Sequence, residues 1–356
     1  MHSLTAIRNP GQFKNRDFIE TSENIFFCVI GEIHPDGYVV AYPKYIATEK
    51  ASTNIWRSRE GLTYERLLKV YSMLSLKEAL KIFDRYPYYL RDLDAWEVRM
   101  PCIPIERIVR HHKPEEKLEE IIHRGPSDRL EGILTKLVDT LSSMSGIPSG
   151  FFGVTGSILL EIHNPIFSDI DLTVYGLKES LKIKETILDL KRRGVVRELP
   201  PDHIERSIYE KLFHYPIGVG DLRRIYERMW QRGVFKDVNF SVHPERLFVD
   251  ERYGDRVYRH HGMVRAKIEI VDDTEGIFLP AVYSISVLEL LEGDSRYEVE
   301  ELVSFDGFFS SAFHIGDRIE VKAKLEEVYD RRKNRTYSRL VLGTLEYAGV
   351  EYARFI

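Results

Sequence analysis

Gly156-Ser157, followed by Ser168-Asp169-Ile170-Asp171-Leu172, is the stretch of this 356-residue sequence on which the reading of the fold turns. Alternate side chains on a strand share a face, so Asp169 and Asp171 point one way while Ile170 and Leu172 pack the other. Two carboxylates on one face make a hard-oxygen donor set, and Mg²⁺ is commonly held by one or two carboxylates plus substrate phosphate oxygens. Gly156 lets the backbone approach a ligand closely, and Ser157 adds a hydroxyl beside the free N–H groups of a helix start. Together the four residues describe a site for a divalent cation and a triphosphate. An Asp-x-Asp alone is more often a solvated strand end, so the weight rests on the combination.

The sequence around this stretch supplies a frame for it. Leu130, Ile133, Leu134, Leu137, Val138, Leu141 and Met144 recur at helical spacing, with Asp128 and Glu131 placed to cap the start and Gly146 to end it. A second helix, Leu177 to Arg193, carries Ile183, Ile187 and Leu190 on one face and Lys191, Arg192 and Arg193 at the negative end of its dipole. The order helix, strand, short helix, strand, helix predicts an α+β core on a mixed sheet. Before it, two strand-like runs, Ile25 to Ile33 and Tyr38 to Ile46, meet at His34-Pro35-Asp36-Gly37 and predict a hairpin. A polar stretch from Thr48 to Gly61 follows, and one or two amphipathic helices are expected between Leu67 and Phe83. Residues 200 to 233 read as helical, with Asp221 as N-cap and Gly233 as stop. From Val264 onward, five strand patterns with short turns suggest a small barrel. The expected domains are therefore 1–112 (α+β), 113–262 (the core bearing the acidic pair) and 263–356 (an OB-like β-barrel).

The Gly-Ser at a helix start followed by an acidic pair on a strand resembles the signature of the DNA polymerase beta nucleotidyltransferase superfamily. The resemblance is specific over Leu130 to Gly176 and usable to about Pro244. The whole chain resembles predicted archaeal nucleotidyltransferases that carry a small N-terminal domain and a C-terminal β domain. It implies a polymerase-beta-like palm and transfer of a nucleoside monophosphate from an NTP to a hydroxyl acceptor, with Mg²⁺ or Mn²⁺ on Asp169 and Asp171 and triphosphate on Gly156 and Ser157. Members of the superfamily place a third acid on a later strand. Here that strand is Lys236-Asp237-Val238-Asn239-Phe240-Ser241-Val242, and the position falls on Asn239, an amide that cannot act as a general base. Either Asp237, two residues earlier, takes over, or the chain is a non-catalytic nucleotide- or nucleic-acid-binding module. A third reading, an enzyme that adenylylates a partner protein, fits the two extra domains less well.

Two basic groups extend the expectation. Arg224, Arg228 and Arg232 fall four apart, as a stripe that could hold phosphates or face solvent in ion pairs. Arg331, Arg332, Lys333 and Arg335 cluster in one turn near Phe305, Phe308, Phe309, Phe313, Tyr329 and Tyr337, the combination by which OB-like barrels stack bases beside basic loops. RNA or DNA is the partner expected there, although core packing explains many of those rings equally well. His111-His112 and His260-His261 lack partners at zinc-ligand spacing. Gly218-Val219-Gly220 is an incomplete dinucleotide pattern with no strand before it.

Composition sets the bounds. Apolar residues are 43% and charged residues 30%, which excludes a disordered chain, and 51 basic against 56 acidic groups give a net charge of −5, so any polyanion site must be local. Two cysteines, Cys28 and Cys102, argue against a disulfide framework. No leader-like or membrane-spanning apolar run is visible, and a cytoplasmic location is expected.

Overall fold

The computed structural model describes residues 7–49, 56–58, 60–68 and 70–356, and the chain is mixed α+β, built on three sheets. Part of the polar stretch after Thr48, residues 50–55 and 59, lies outside the described residues.

The first sheet takes β1 (Phe18–Thr21), β2 (Ile25–Val29), β3 (Tyr38–Thr48), β4 (Trp56–Arg57), β5 (Thr63–Arg66), β6 (Leu90–Leu93), β7 (Val98–Pro104) and β8 (Ile108–His112). The expected hairpin is present: β2 and β3 pair antiparallel, with Ile25 opposite Ile46 and Val29 opposite Ala41. Every residue of β2 is buried, the mark of a strand covered on both faces. One face, with Ile25, Phe27 and Val29, packs on Phe83 and Tyr89; the other, with Phe18, Phe26 and Tyr45, packs on Leu159, Leu160 and Ile162 of the middle region. The helices expected between Leu67 and Phe83 reduce to α1 (Met73–Ala79) and a 3₁₀ turn, Leu80–Asp84.

The middle region runs α2 (Pro114–Arg124), α3 (Arg129–Ser145), β9 (Phe152–Thr155), α4 (Gly156–Leu159), β10 (Ile170–Tyr175) and α5 (Leu177–Arg192). After two further helices, α6 (Pro201–Leu212) and α7 (Val219–Arg228), it ends with β11 (Arg232–Phe235) and β12 (Val238–Glu245). Its sheet has the order β11-β12-β10-β9, with β10 and β12 parallel and the other pairs antiparallel. α3 is capped as its sequence requires: the Asp128 carboxylate accepts from the Glu131 N–H at 3.0 Å, and Gly146 ends it in the left-handed region at φ 72°. Leu130, Leu134, Leu137 and Leu141 are fully buried against β9, β10 and α5. Truncating one such leucine to alanine costs about 2–5 kcal/mol.

The third sheet takes β13 (Arg256–Asp272), β14 (Ala281–Glu292), β15 (Val299–Ser304), β16 (Arg318–Asp330), β17 (Arg335–Leu342) and β18 (Tyr352–Phe355). It is curled like a barrel: pairings run β13-β14-β15-β17-β16, β16 returns to β13, and β15–β17 is the one parallel pair.

Three expectations are corrected here. β13 begins at Arg256, so the expected boundary at 262/263 falls inside a strand. α6 and α7 lie in the middle of the chain, yet Ile208, Leu222, Ile225 and Tyr226 share the apolar core of the curled sheet with Phe308, Ile319 and Leu340. Asp221 is not an N-cap: α7 starts after Gly218, and the Asp221 carboxylate accepts from the Phe355 N–H at 2.9 Å; Gly233 lies in β11. Amphipathic spacing revealed the helices but not which sheet their apolar faces would meet.

Candidate functional site

β10 and β12 bring the site together. Their parallel register sets Ile170 beside Phe240, Asp171 beside Ser241 and Thr173 beside His243. Ile170, Leu172, Phe240 and Val242 are buried in the core, so the alternating Asp171, Asn239, Ser241 and His243 occupy the opposite face. Asp169 immediately precedes β10 and is near enough for the charge of Asp171 to act on it.

Gly156 stands directly over this face. It has φ +69°, and a Cβ built there would lie 2.6 Å from Asp171 Oδ2, so only glycine brings the backbone this close to the carboxylate. α4 is a single turn, too short to carry a useful macrodipole, so the contribution of this segment is the close backbone and the Ser157 hydroxyl, which bonds to no protein group among the described residues.

The two carboxylates behave differently. The charge of Asp171 raises the Asp169 carboxyl from 3.8 to about 6, with burial adding to the shift. Asp171 falls below the usual carboxylate range: burial opposes ionisation, but the His243 and Ser241 hydrogen bonds and the positive charge of Lys44 outweigh it. The Ser241 hydroxyl donates to Asp171 Oδ1, and Ser241 Oγ lies 2.8 Å from His243 Nε2. Because the single hydroxyl hydrogen goes to Asp171, His243 must donate Nε2–H to Ser241. Burial holds its imidazole at about 4, hence neutral. The chain His243, Ser241, Asp171 fixes the orientation of that carboxylate.

Asn239 is exposed on β12, one step before the Asp171–Ser241 pair, and its amide has no hydrogen-bond partner among the described residues. Asp237 is corrected: it sits in the β11–β12 turn at φ +64°, exposed and ion-paired with Arg197, and so does not complete the strand face. The alternating face of β12 therefore carries an amide, a hydroxyl and an imidazole beside the pair, and its carboxylate, Glu245, lies farther along opposite Tyr175, held by Asn15 and Arg16. Sequence reasoning passed over Ser241 and His243, although the alternation Asn239-x-Ser241-x-His243 against Phe240 and Val242 was readable.

The expected basic groups lie elsewhere. Arg228 forms a forked ion pair with Asp317 and donates to the Ala312 carbonyl at 3.0 Å, while Arg224 stacks 3.9 Å over Phe355 and reaches Asp317 at 3.4 Å. Both fasten α7 to the curled sheet, and Arg232 has left the helix for β11. Arg331, Arg332, Lys333 and Arg335 are exposed around the β16–β17 turn, but Arg332 pairs with Asp250 and Arg335 with Glu300. Phe308, Phe309 and Phe313 are core residues, which removes them from any base-stacking surface; Phe305 and Tyr329 remain partly exposed.

Two cations that were not singled out stand at the acidic pair, both from the first sheet. Lys44 on β3 and Arg66 at the end of β5 act on Asp169 through their charge, and Lys44 acts on Asp171 as well. β3 and β5 pair directly, with Tyr45 opposite Arg66. The site thus lies where the first sheet packs on the middle region, which Thr155 Oγ1 ties together by donating to the Arg16 carbonyl at 2.9 Å. A separate acid–imidazole cluster, Asp128, Glu131 and His163, is committed to structure: Asp128 caps α3 and accepts from or pairs with His163 at 2.8 Å, and Glu131 is held by Arg124 and Ser127.

The structure thus brings together an acidic pair, a glycine turn in contact distance of Asp171, a parallel strand beside it and two cations whose charge acts on the pair; the carboxylate oxygens of the pair are the groups here that could hold a divalent cation. The chain is 29% identical over 345 residues to an uncharacterized protein, MJ1086, of the archaeon Methanocaldococcus jannaschii, a match covering 95% of this chain and 98% of that protein. No protein-family model and no solved structure matches the chain. Among the described residues no helix is long and apolar enough to cross a membrane.

Proposed function

We propose that the protein is a nucleotidyltransferase, moving a nucleoside monophosphate from an NTP to a hydroxyl acceptor with release of pyrophosphate. The observation that carries this reading is the Asp169–Asp171 pair at the start of β10, with Gly156 in contact distance of Asp171. The four-stranded sheet with α3 and α5 packed on it is compatible with a polymerase-beta-like palm. The circuit of β13 to β17, with its one parallel pair, supports reading the curled sheet as an OB-like barrel.

The residues present suit Mg²⁺ or Mn²⁺: Asp169 and Asp171 offer hard oxygens close enough that the charge of Asp171 raises the Asp169 carboxyl. Bound there with nucleotide, the cation would supply polarisation of phosphate oxygens and neutralise developing charge. Ser241 and His243 keep Asp171 ionised and oriented. Gly156 leaves room for phosphate beside it, and Ser157 offers a hydroxyl donor. The acceptor hydroxyl must give up its proton; Glu245 of β12 lies at the far end of the strand, held by Asn15 and Arg16, and beside the pair β12 presents Asn239 rather than a carboxylate.

That last feature favours a second reading, a nucleotide- or nucleic-acid-binding module on a nucleotidyltransferase fold, with Asn239 where the third acid belongs. RNA or DNA remains a proposed partner through Arg331 and Lys333, whose side chains are exposed. Calorimetry with Mg²⁺ and each NTP tests the site itself: binding should vanish in the Asp169→Ala, Asp171→Ala double variant, and unchanged binding would remove the basis of both readings. Asn239→Asp separates them, since a gain of transfer from zero identifies the module and a loss identifies a tuned enzyme.

A further inference from the structure

Burying an ammonium group without a counter-ion is among the least favourable things a fold can do, so a lysine in that state calls for a reason. Lys44 is 4% exposed. Among the described residues it makes no ion pair and its ammonium donates to no acceptor; it is surrounded instead by the rings of Phe18, Tyr45 and Tyr71 at 5.2, 5.8 and 5.6 Å. Its backbone is fixed, because its carbonyl accepts from the Leu67 N–H at 2.9 Å. Arg66 repeats the pattern. Its guanidinium lies 4.9 Å over Tyr71, and among the described residues it has no carboxylate partner and its buried Nε has no hydrogen bond. Other buried cations of the fold have an acceptor: Arg339 pairs with Glu326, Lys324 with Glu326 and Glu346, and Arg8 with Asp17 and Glu115, while Lys14 donates to the Arg246 and Leu247 carbonyls and Lys211 to the Tyr71 carbonyl.

The two cations come from paired strands and share the Tyr71 ring, at 5.6 and 4.9 Å, and the charge of each acts on Asp169. Lys44 is held beyond ion-pair distance of Asp169 and Asp171, so it balances their charge through space while its donors stay free. A ligand that brings its own negative charge into the gap would meet three ammonium donors and a guanidinium fork on one side and the carboxylates on the other.

We propose that Lys44 and Arg66 of the first sheet form the polyphosphate clamp of this site, so that the nucleotide is held between the N-terminal sheet and the β10–β12 face. The proposal rests on the nucleotidyltransferase reading for the kind of anion, and it assigns the N-terminal region, rather than the α7 arginines, to nucleotide binding. The aromatic ring around Lys44 holds the cation until the anion arrives, since a cation over ring faces is attracted without its donors being consumed. A cation kept for a ligand also works against the apoprotein, which gives the clamp a signature that a structural lysine lacks.

Calorimetry of the full chain with inorganic tripolyphosphate in EDTA probes the clamp without any metal. The wild type should bind; Lys44→Met, which keeps the stem and removes the charge, should weaken binding by about 10- to 100-fold, as for loss of one desolvated charged contact. Lys44→Met should also melt at the same or a higher temperature than the wild type. The double variant Asp169→Asn, Asp171→Asn should keep or strengthen tripolyphosphate binding, because it removes negative charge from the ligand's surroundings. No binding to the wild type, or equal binding to Lys44→Met, overturns the clamp while leaving the acidic pair to be judged by its own metal-dependent assay. If Lys44→Met does not fold, the lysine is structural, and Arg66→Gln with unchanged binding then completes the refutation. A short RNA oligomer that displaced tripolyphosphate from the wild type would make the ligand a nucleic-acid backbone and equally overturn the assignment to a nucleotide.

Discussion

The basic side chains of α7 and those of the first sheet invite a direct comparison. Arg224 and Arg228 form a visible stripe in the sequence, yet the fold joins them to Asp317 and Phe355 and uses them to fix a helix to the curled sheet. Lys44 and Arg66 lie 22 positions apart on different strands, follow no periodic pattern, and act on the acidic pair through their charge, with no carboxylate partner among the described residues. A cluster of charge in a sequence shows where charges are near one another; whether they are free depends on acids supplied from remote elements. Asp317 belongs to the turn before β16, far along the chain from α7, and no local pattern announces that it will neutralise two arginines.

The comparison can be broken at several points, beginning where the largest effect is expected. Asp171→Asn should reduce metal-dependent nucleotide binding or transfer by about 100-fold or more, because a first ligand is lost and the Ser241–His243 chain loses its acceptor; nucleotide titrations with Mn²⁺ would reveal it. Gly156→Ala should come next. It forces a Cβ against Asp171 at φ +69° and should both lower the melting temperature and weaken cation binding, with a backbone cost of about 1 kcal/mol before the clash is counted. Arg228→Ala should have the opposite profile: a loss of about 1–3 kcal/mol in chemical denaturation, since Asp317 loses its forked partner, with nucleotide binding intact. If Arg228→Ala instead abolished binding at unchanged stability, the roles given to the two basic regions would have to be exchanged. Replacing Arg332 by alanine should be nearly silent in stability, within about 0.5 kcal/mol, as for an exposed ion pair.

The acidic pair also predicts a pH dependence. In the folded chain the Asp169 carboxyl ionises near 6 rather than 3.8. Its proton is therefore held more tightly in the folded than in the unfolded state, and the stability this provides, complete below pH 3.8, is lost as pH rises to about 6. Cation affinity should rise over the same interval and level off above it, because ionised Asp169 is the ligand. In Asp171→Asn the source of the shift is gone, and the step should move toward 3.8.

Much of the fold was legible because it rests on local chemistry. The Asp128 cap, the αL glycine at 146 and the leucine periodicity of α3 each act within a few residues, as does the turn at His34 to Gly37. The acidic pair was legible for the same reason, since strand alternation alone puts Asp169 and Asp171 together. What the sequence did not disclose was set by long-range packing: the joining of α6 and α7 to the C-terminal core, the run of β13 across the expected boundary, and the left-handed turn that takes Asp237 off the strand. Lys44 was hidden because its significance is negative, the absence of a partner, and only the folded chain reveals it.

The most direct measurement is transfer of α-labelled nucleotide from each NTP to RNA or protein in a cell extract, with Mg²⁺ or Mn²⁺, for the wild type beside Asp171→Asn. The account predicts label on one class of acceptor with the wild type and none with the variant. Equal labelling by both proteins would contradict it, because chemistry independent of Asp171 cannot belong to the site described.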